Sequence, residues 1–275
     1  MSSNPKTWFI TGASRGFGRI WTEAALSRGD RVAATARDPK TLAALQKKYG
    51  ENVLALQLDV TDRAAVQKSV TQAPAHFGQL DVVVNNAGYG PFGMVEEVSE
   101  QQARDQFETN FYGALWVTQA ALPLLRAQGS GHIIQISSIG GLLALPNLGL
   151  YNASKWALEG LSQALAAEVK TFGINVTLVE PTGYATEWGR GSATMAQPVA
   201  AYDDLRAQIA KGWSNFKIGN PHATAQAMLA LVDAKEPPLR AFFGMGLLGM
   251  MQGEYAQRLE TWSKWSELSD AAMGS

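Results

Sequence analysis

Short β-branched or apolar runs alternate with long helical patterns from the N-terminus to about residue 180, and that rhythm leaves few architectures open. Parallel strands cannot be joined by tight turns, so each pair needs a crossover of a dozen or more residues, usually a helix. The runs predict strands at residues 7–11, 31–36, 53–58, 81–84, 132–137 and 175–179, with a late one at 239–243. Segments such as "VVV" and "HIIQI" are apolar throughout instead of alternating, as strands covered by helices on both faces must be. The expected fold is α/β, with a doubly wound parallel sheet of about seven strands between two helical layers. Asp38 followed by Pro39 marks a helix start after the second strand, because aspartate suits the N-cap and proline the first helical position.

No repeat, low-complexity tract or linker interrupts the 275 residues, which are read as a single domain over 1–275. One segment departs from the rhythm. Residues 183–221 contain no expected strand, and loops beyond about 12–15 residues are uncommon unless they serve as lids or binding elements. Tyr184, Trp188, Met195, Trp213 and Phe216 enrich this stretch, which also carries a short helical pattern over 203–211. It is read as a substrate lid. Residues 244–275 form a C-terminal extension. The apolar run "AFFGMGLLGMM" at 241–251 is about half the roughly 20 residues a membrane-spanning helix needs. It is expected to be a buried strand leading into a pocket or subunit wall.

Composition excludes several functional classes. A net charge of −1 and a pI near 6.3 provide no basic field for nucleic acid. Small molecules or other chains are the expected partners. Without cysteine there is neither a disulfide nor a thiolate ligand, and His76, His132 and His222 show no metal-ligand spacing, so no metal site is expected. The N-terminus lacks a charged region followed by an apolar one, and the expected location is the cytoplasm.

The stretch "FITGASRGFGR" sets Gly12, Gly16 and Gly18 after the first strand and at the start of a helix. Glycine permits a sharp turn and lets backbone N–H groups approach a pyrophosphate, which the helix N-terminus also favours. The second strand ends "VAATARDP", placing Arg37 where a guanidinium can take the 2′-phosphate of NADP, with Arg15 in the turn as a second positive charge. NADP(H) is therefore expected in preference to NAD(H). Asp38 keeps NAD open, although its N-cap role accounts for it.

In "GLYNASKWALEG", Tyr151 and Lys155 stand four residues apart, one helical turn. A free phenol has a pKa of about 10, so only about one in a thousand is ionised at pH 7. Lowering that value by three units takes about 4 kcal/mol, which a lysine ammonium in a desolvated cleft, aided by the positive charge of an oxidised nicotinamide, could provide. Ser138, at the end of "HIIQISS", could hold a substrate oxygen next to the phenol. Seven tyrosines make the spacing attainable by chance, so its weight comes from the preceding glycine turn and serine.

With these motifs in this order, the chain resembles the short-chain dehydrogenase/reductase family over roughly residues 6–190. "TGASRGFG" is similar to that family's cofactor turn, implying contacts from Gly12, Ser14, Arg15, Gly16, Phe17 and Gly18. Asp59 and Val60 match its adenine-contacting pair, and "NNAG" matches a signature that brings Asn86, Ala87 and Gly88 to the cofactor. The resemblance implies a catalytic tetrad of Asn110, Ser138, Tyr151 and Lys155, with tyrosine as acid or base and serine holding the carbonyl. It further implies that lysine binds the nicotinamide ribose and lowers the tyrosine pKa, and that asparagine holds a relay water. Pro181, Gly183 and Thr186 would complete the cofactor site, although Thr182 stands where the family usually has glycine.

A Rossmann fold is thereby implied, as is an NADP(H)-dependent carbonyl reductase or alcohol dehydrogenase. The apolar loop "IGGLLALPNLGL" favours a hydrophobic ketone, aldehyde or secondary alcohol as substrate. A sugar-nucleotide epimerase or dehydratase, or a dinucleotide sensor without turnover, are the competing classes. The family resemblance implies a homodimer or homotetramer, with which the apolar tail carrying Trp262 and Trp265 is compatible.

Overall fold

A computed structural model of the chain describes residues 5–186, 194–213 and 217–274, which form two compact units dividing after Phe243. Among its described residues the first unit contains nine strands: β1 (Thr7–Ile10), β2 (Arg31–Ala36), β3 (Val53–Gln57), β4 (Val82–Asn85), β5 (Pro91–Phe92), β6 (Gly131–Ile136), β7 (Ile174–Pro181), β8 (Thr194–Met195) and β9 (Arg240–Phe243). Seven of them form one parallel sheet in the order β3-β2-β1-β4-β6-β7-β9. Every strand expected for this sheet is present, within a few residues at its ends. The winding reverses between β1 and β4, and in open α/β sheets that reversal leaves a crevice at the carboxyl ends of the strands.

Helices α1 (Gly16–Arg28), α2 (Ala43–Tyr49), α3 (Arg63–Phe77), α4 (Glu100–Phe107), α5 (Gly113–Gln128), α6 (Gly149–Val169), α7 (Asp203–Trp213) and α8 (Thr224–Asp233) complete this unit. The strand period of two divides the core. Trp8, Ile10, Val32, Ala34, Val82 and Val84 point to the layer of α1 and α8. Their neighbours Phe9, Ala33 and Val83 point to the layer of α3, α5 and α6. Both faces of each strand are thus buried, which is why these strands read as continuous apolar runs. The two largest buried side chains keep their N–H groups satisfied, Trp8 by Asp30 Oδ2 at 2.8 Å and Trp21 by Thr224 Oγ1 at 2.9 Å. Asp38 caps the turn Pro39–Leu42 by accepting from the Lys40 N–H at 3.0 Å.

The segment expected to be free of strands contains one. β8 pairs in parallel with β5, and the Ala196 N–H donates to the Phe92 carbonyl at 2.8 Å. Two-residue strands are too short to leave a periodic signature, so only the fold shows them. α7 coincides with the helix expected over 203–211. Its Arg206 grips Glu97 with Nη1 at 3.1 Å from both carboxylate oxygens. The Val199 and Met94 N–H groups add bonds of 2.8 Å each. These donors hold the Glu97 carboxyl at about 2, well below the usual range. Of the aromatic residues expected in this stretch, Trp188 and Phe216 lie outside the described residues.

Beyond Phe243, the second unit comprises α9 (Leu247–Lys264) and α10 (Ser266–Ala272). The apolar run 241–251 is therefore no single strand. β9 ends at Phe243, Gly244 and Gly246 turn the chain at positive φ, and a helix follows. No described helix is long and apolar enough to cross a membrane.

Candidate active site

Four strand ends and the N-terminus of α1 converge on the crevice. Gly12 and Gly16 adopt positive φ values of 65° and 54°, a conformation unfavourable for residues with a Cβ. A Cβ on Gly18 would collide with the Gly12 carbonyl oxygen and lie 2.5 Å from Asn86 Nδ2, so only glycine fits that position. The Asn86 amide explains the crowding, since it donates to the Thr11 carbonyl at 2.9 Å and to the Gly12 carbonyl at 3.2 Å. Thr11 returns the link by accepting the Asn86 and Ala87 N–H groups on its hydroxyl at 2.9 and 3.0 Å. The ends of β1 and β4 are thereby fixed together. Thr11 was not singled out in the sequence, where its place directly before the glycine turn is the only signal.

No side chain caps α1, whose N-cap is Arg15 and whose first turn carries no acid. Such an end suits an anion, and the turn fits a dinucleotide pyrophosphate, which would lie against backbone where a Cβ is excluded. Arg37 lies exposed immediately after β2. Asp38 beside it is committed to its cap. The Asp59 carboxylate accepts from Thr61 N and Oγ1 at 3.0 and 2.8 Å, while Val60 is buried against Gly113. Phe17 stacks on Trp21 with centroids 5.0 Å apart and meets Tyr184 edge-on at 5.1 Å. That contact draws the chain after β7 over the glycine turn, and the Thr186 Cβ lies 4.0 Å from the point a Gly16 Cβ would occupy. At the position where Thr182 departs from the family pattern, its N–H donates to the Phe243 carbonyl at 3.0 Å. The pairing of β7 with β9 therefore continues past Pro181, and Gly183 follows exposed.

On the other side of the crevice, Asn110 sits in a π-helical turn, Glu108–Tyr112, between α4 and α5. The extra residue of such a turn turns a side chain out of the helical register, and π-turns recur at functional sites. Asn110 Nδ2 donates to the Tyr89 carbonyl at 2.9 Å and to Ser154 Oγ at 3.2 Å, and Oδ1 accepts from Tyr89 N at 3.1 Å. Both donors of the amide are thus committed to protein groups. Gln106 Nε2 reaches the same Tyr89 carbonyl and Ser154 hydroxyl at 3.0 and 3.2 Å. Neither Gln106 nor Ser154 was expected at the site; the four-residue step from Gln106 to Asn110 is the signal that could have shown one of them.

Ser138 follows β6 and accepts the Gly140 N–H on its hydroxyl at 3.1 Å. A Cβ on Gly140 would lie 3.5 Å from Ser138 Oγ and 3.4 Å from Tyr151 Cε1, so the two side chains flank that glycine. Lys155 Nζ donates to the Ile136 carbonyl at 2.7 Å and lies 5.8 Å from the centre of the Tyr151 ring. It is also 3.7 Å from the point a Gly88 Cβ would occupy, with Asn110 Oδ1 at 3.1 Å. The four residues of the expected tetrad therefore gather around Gly88 and Gly140, next to the glycine turn that Asn86 ties in.

The electrostatics differ from expectation in one respect. Burial pushes the Tyr151 phenol up to about 12, with the Ser138 hydroxyl pulling weakly the other way. Desolvation dominates, and the Lys155 ammonium is aimed at the Ile136 carbonyl. Burial likewise pulls Lys155 down to about 8, opposed by the charge of Glu159. At pH 7 the arrangement is a neutral phenol beside an ammonium, a proton donor with a cation behind it.

The loop between Ser138 and Tyr151 borders an apolar depression of about 660 Å³, whose walls include Leu145, Pro146, Met94, Val95, Trp156 and Tyr202. Its α6 residues, Gly149, Asn152, Ala153 and Trp156, form a different helical face from Tyr151 and Lys155. The depression thus adjoins the crevice without containing the phenol.

The family model described as short chain dehydrogenase matches residues 6–196. The chain belongs to the short-chain dehydrogenase family. A relative from Botryotinia fuckeliana, Oxidoreductase BOA17, is 42% identical over 97% of this chain and 99% of its own. The crystal structure of a short-chain dehydrogenase from Streptomyces avermitilis matches with a TM-score of 0.89 and 36% identity, covering 98% of this chain and 99% of that one. An NADPH-dependent 3-dehydrocapnine reductase from Ornithobacterium rhinotracheale is 34% identical over 84% of this chain and 85% of its own. Among similar solved structures, one was determined with NAD and another with NADP. As a short-chain dehydrogenase, this protein is an NAD(P)-dependent oxidoreductase of small molecules with a Rossmann-type sheet.

Proposed function

We propose that the protein is an NADP(H)-dependent carbonyl reductase, reversibly an alcohol dehydrogenase, acting on a hydrophobic ketone, aldehyde or secondary alcohol. The observation that carries this reading is the position of Lys155 Nζ against Gly88, in a loop that Asn86 bonds to the glycine turn. Proton-handling side chains and a phosphate-binding turn therefore share one crevice.

Gly12, Ser14, Arg15, Gly16, Phe17 and Gly18 would hold the pyrophosphate end. Asp59 and Val60 would hold the adenine, Asn86, Ala87 and Gly88 the middle, and Pro181, Gly183 and Thr186 the carboxamide end. When bound, the reduced dinucleotide supplies a hydride. The protein's part is to hold the substrate carbonyl by the Ser138 hydroxyl and to give its oxygen the Tyr151 proton. A phenol kept protonated by burial suits that donation, and the Lys155 ammonium stabilises the negative charge that develops. The apolar loop 139–150 and the lid 183–221 would keep water from the carbonyl. A cytoplasmic homodimer or homotetramer belongs to the same reading, supported by the exposed apolar side chains of Trp262 and Trp265.

Arg37 supports NADP over NAD, because its guanidinium stands exposed directly after β2 while Asp38 beside it is engaged in its cap. Arg37→Ala is expected to lower kcat/KM for NADPH by about 10–100-fold, the worth of one charge-assisted phosphate contact, while changing that for NADH by less than about threefold. The reading itself is tested by following NADPH oxidation with a panel of bulky ketones and aldehydes. Turnover is expected. Tight NADPH binding without turnover of any member would favour a sensor, and a clear NADH preference would remove Arg37 from its role.

A further inference from the structure

Behind Lys155 lies a buried polar cluster that this proton transfer does not use. Glu159 follows Lys155 by one turn on α6, Glu180 stands on β7, and both face Arg240 of β9. Arg240 Nε is 3.0 Å from Glu159 Oε2 and 3.4 Å from Glu180 Oε1, and its Nη2 donates to Gln163 Oε1 at 3.0 Å. Glu180 is fully buried and Glu159 is 4% exposed. Neither Glu180 oxygen has a hydrogen bond of ordinary geometry. The Arg240 guanidinium balances one of the two buried carboxylates, and the second is left to be balanced by the Lys155 ammonium one turn away or by a proton shared between the acids.

We propose that Glu159, Glu180 and Arg240 are positioning residues that keep an anion behind Lys155 and thereby fix the charge on the lysine during turnover. The inference rests on the reading of Lys155 as part of the proton-handling site. Its electrostatic sense is consistent, since burial and mutual repulsion raise Glu180 to about 8 and burial raises Glu159 as well. The charge of Glu159 in turn supports the Lys155 ammonium against its own burial. As pH rises, the pair releases its shared proton in the range where Lys155 would lose its own, and the second negative charge holds the lysine proton in place. The groups facing the pair are Arg240 from β9, Lys155 along α6 and the Ser137 hydroxyl after β6. Those facing Lys155 are Tyr151 and Glu159 on its own helix, the Ile136 carbonyl from β6 and the neutral Asn110 amide across Gly88.

The test reads the charge on Lys155 directly, by carbon NMR of protein labelled at lysine Cε, together with the alkaline limb of kcat/KM. Glu159→Gln is expected to move both to lower pH by about one unit. Glu180→Gln should move them the same way by less, and Glu159→Asp should restore at least half of the shift. An unmoved Lys155 titration in Glu159→Gln overturns the proposal. A measurement on the unaltered protein covers variants that fail to fold: with glutamate labelled at Cδ, one glutamate should titrate above about pH 7, and none doing so overturns it equally. A shifted lysine titration in a protein that turns over no carbonyl leaves this inference standing and the functional reading refuted. Normal turnover with an unshifted lysine is the reverse case.

Discussion

Replacing Tyr151 by phenylalanine should lower reductive kcat by about 10²–10⁴-fold while leaving the dissociation constant for NADPH within about threefold. The change removes one hydroxyl and keeps a ring that is only 8% exposed, so packing and the path of α6 are preserved. What disappears is the proton source, worth about 3–5 kcal/mol of barrier for a loss of that size. Ser138 cannot replace it, because the proton of an aliphatic hydroxyl is far less acidic than that of a phenol. Steady-state rates with the most reactive ketone of the panel, and a fluorescence titration of NADPH, check the two halves. A loss smaller than tenfold would remove Tyr151 from the acid role, and a matching loss of cofactor affinity would make it a binding residue instead.

The second large effect concerns stability in acid. His132 is buried on β6, and its Nε2 lies 2.9 Å from Thr177 Oγ1. The Thr177 hydroxyl donates to the Pro238 carbonyl at 2.7 Å, so it accepts from His132, which assigns the ring proton to Nε2. Burial, with a small contribution from Lys6, lowers His132 from 6.5 to about 4. Between those values the unfolded chain binds a proton that the folded one refuses, so stability falls as the solution is acidified from about pH 6.5 to pH 4. The loss attributable to this residue is about 3 kcal/mol. The Glu159–Glu180 pair acts in the opposite sense, because its raised carboxyls take up protons earlier in the folded state than in the unfolded one. The informative quantity is therefore the difference in urea unfolding free energy between wild type and His132→Gln, measured at pH 7 and at pH 4.5. That difference should narrow by about 2–3 kcal/mol on acidification. Parallel behaviour of the two proteins would show that His132 is not held neutral.

The sheet and the glycine turn were legible in the sequence because both depend on local pattern. Strands such as β1 and β4 are buried on both faces and therefore apolar at every position, and Gly12 and Gly18 are required by the turn they themselves make. Tyr151 and Lys155 were legible because a helix fixes their relation. What escaped notice was built from distant parts of the chain. Glu97 and Arg206 are 109 positions apart, and Glu159 and Arg240 are 81, so nothing near any of them in sequence announces its partner. β5 and β8 are two residues each, too few for any period to be counted. The upward pull of burial on the Tyr151 phenol was not legible either, because desolvation depends on everything that surrounds the ring and not on the residue four places away.

The π-turn at Glu108–Tyr112 has a wider consequence for how this region can vary. α4 and the turn lie against α6, whereas α5 lies against α3, so one continuous rod serves two neighbours that stand on different sides of it. The surplus residue accomplishes that change of facing by offsetting the phase of everything downstream by about 100°. Substitutions along the rod can therefore be absorbed one at a time, but a single-residue deletion at the turn would realign both halves to one phase. Asn110 would rotate away from Gly88, and the stripe from Val117 to Leu125 would rotate away from α3 in the same event.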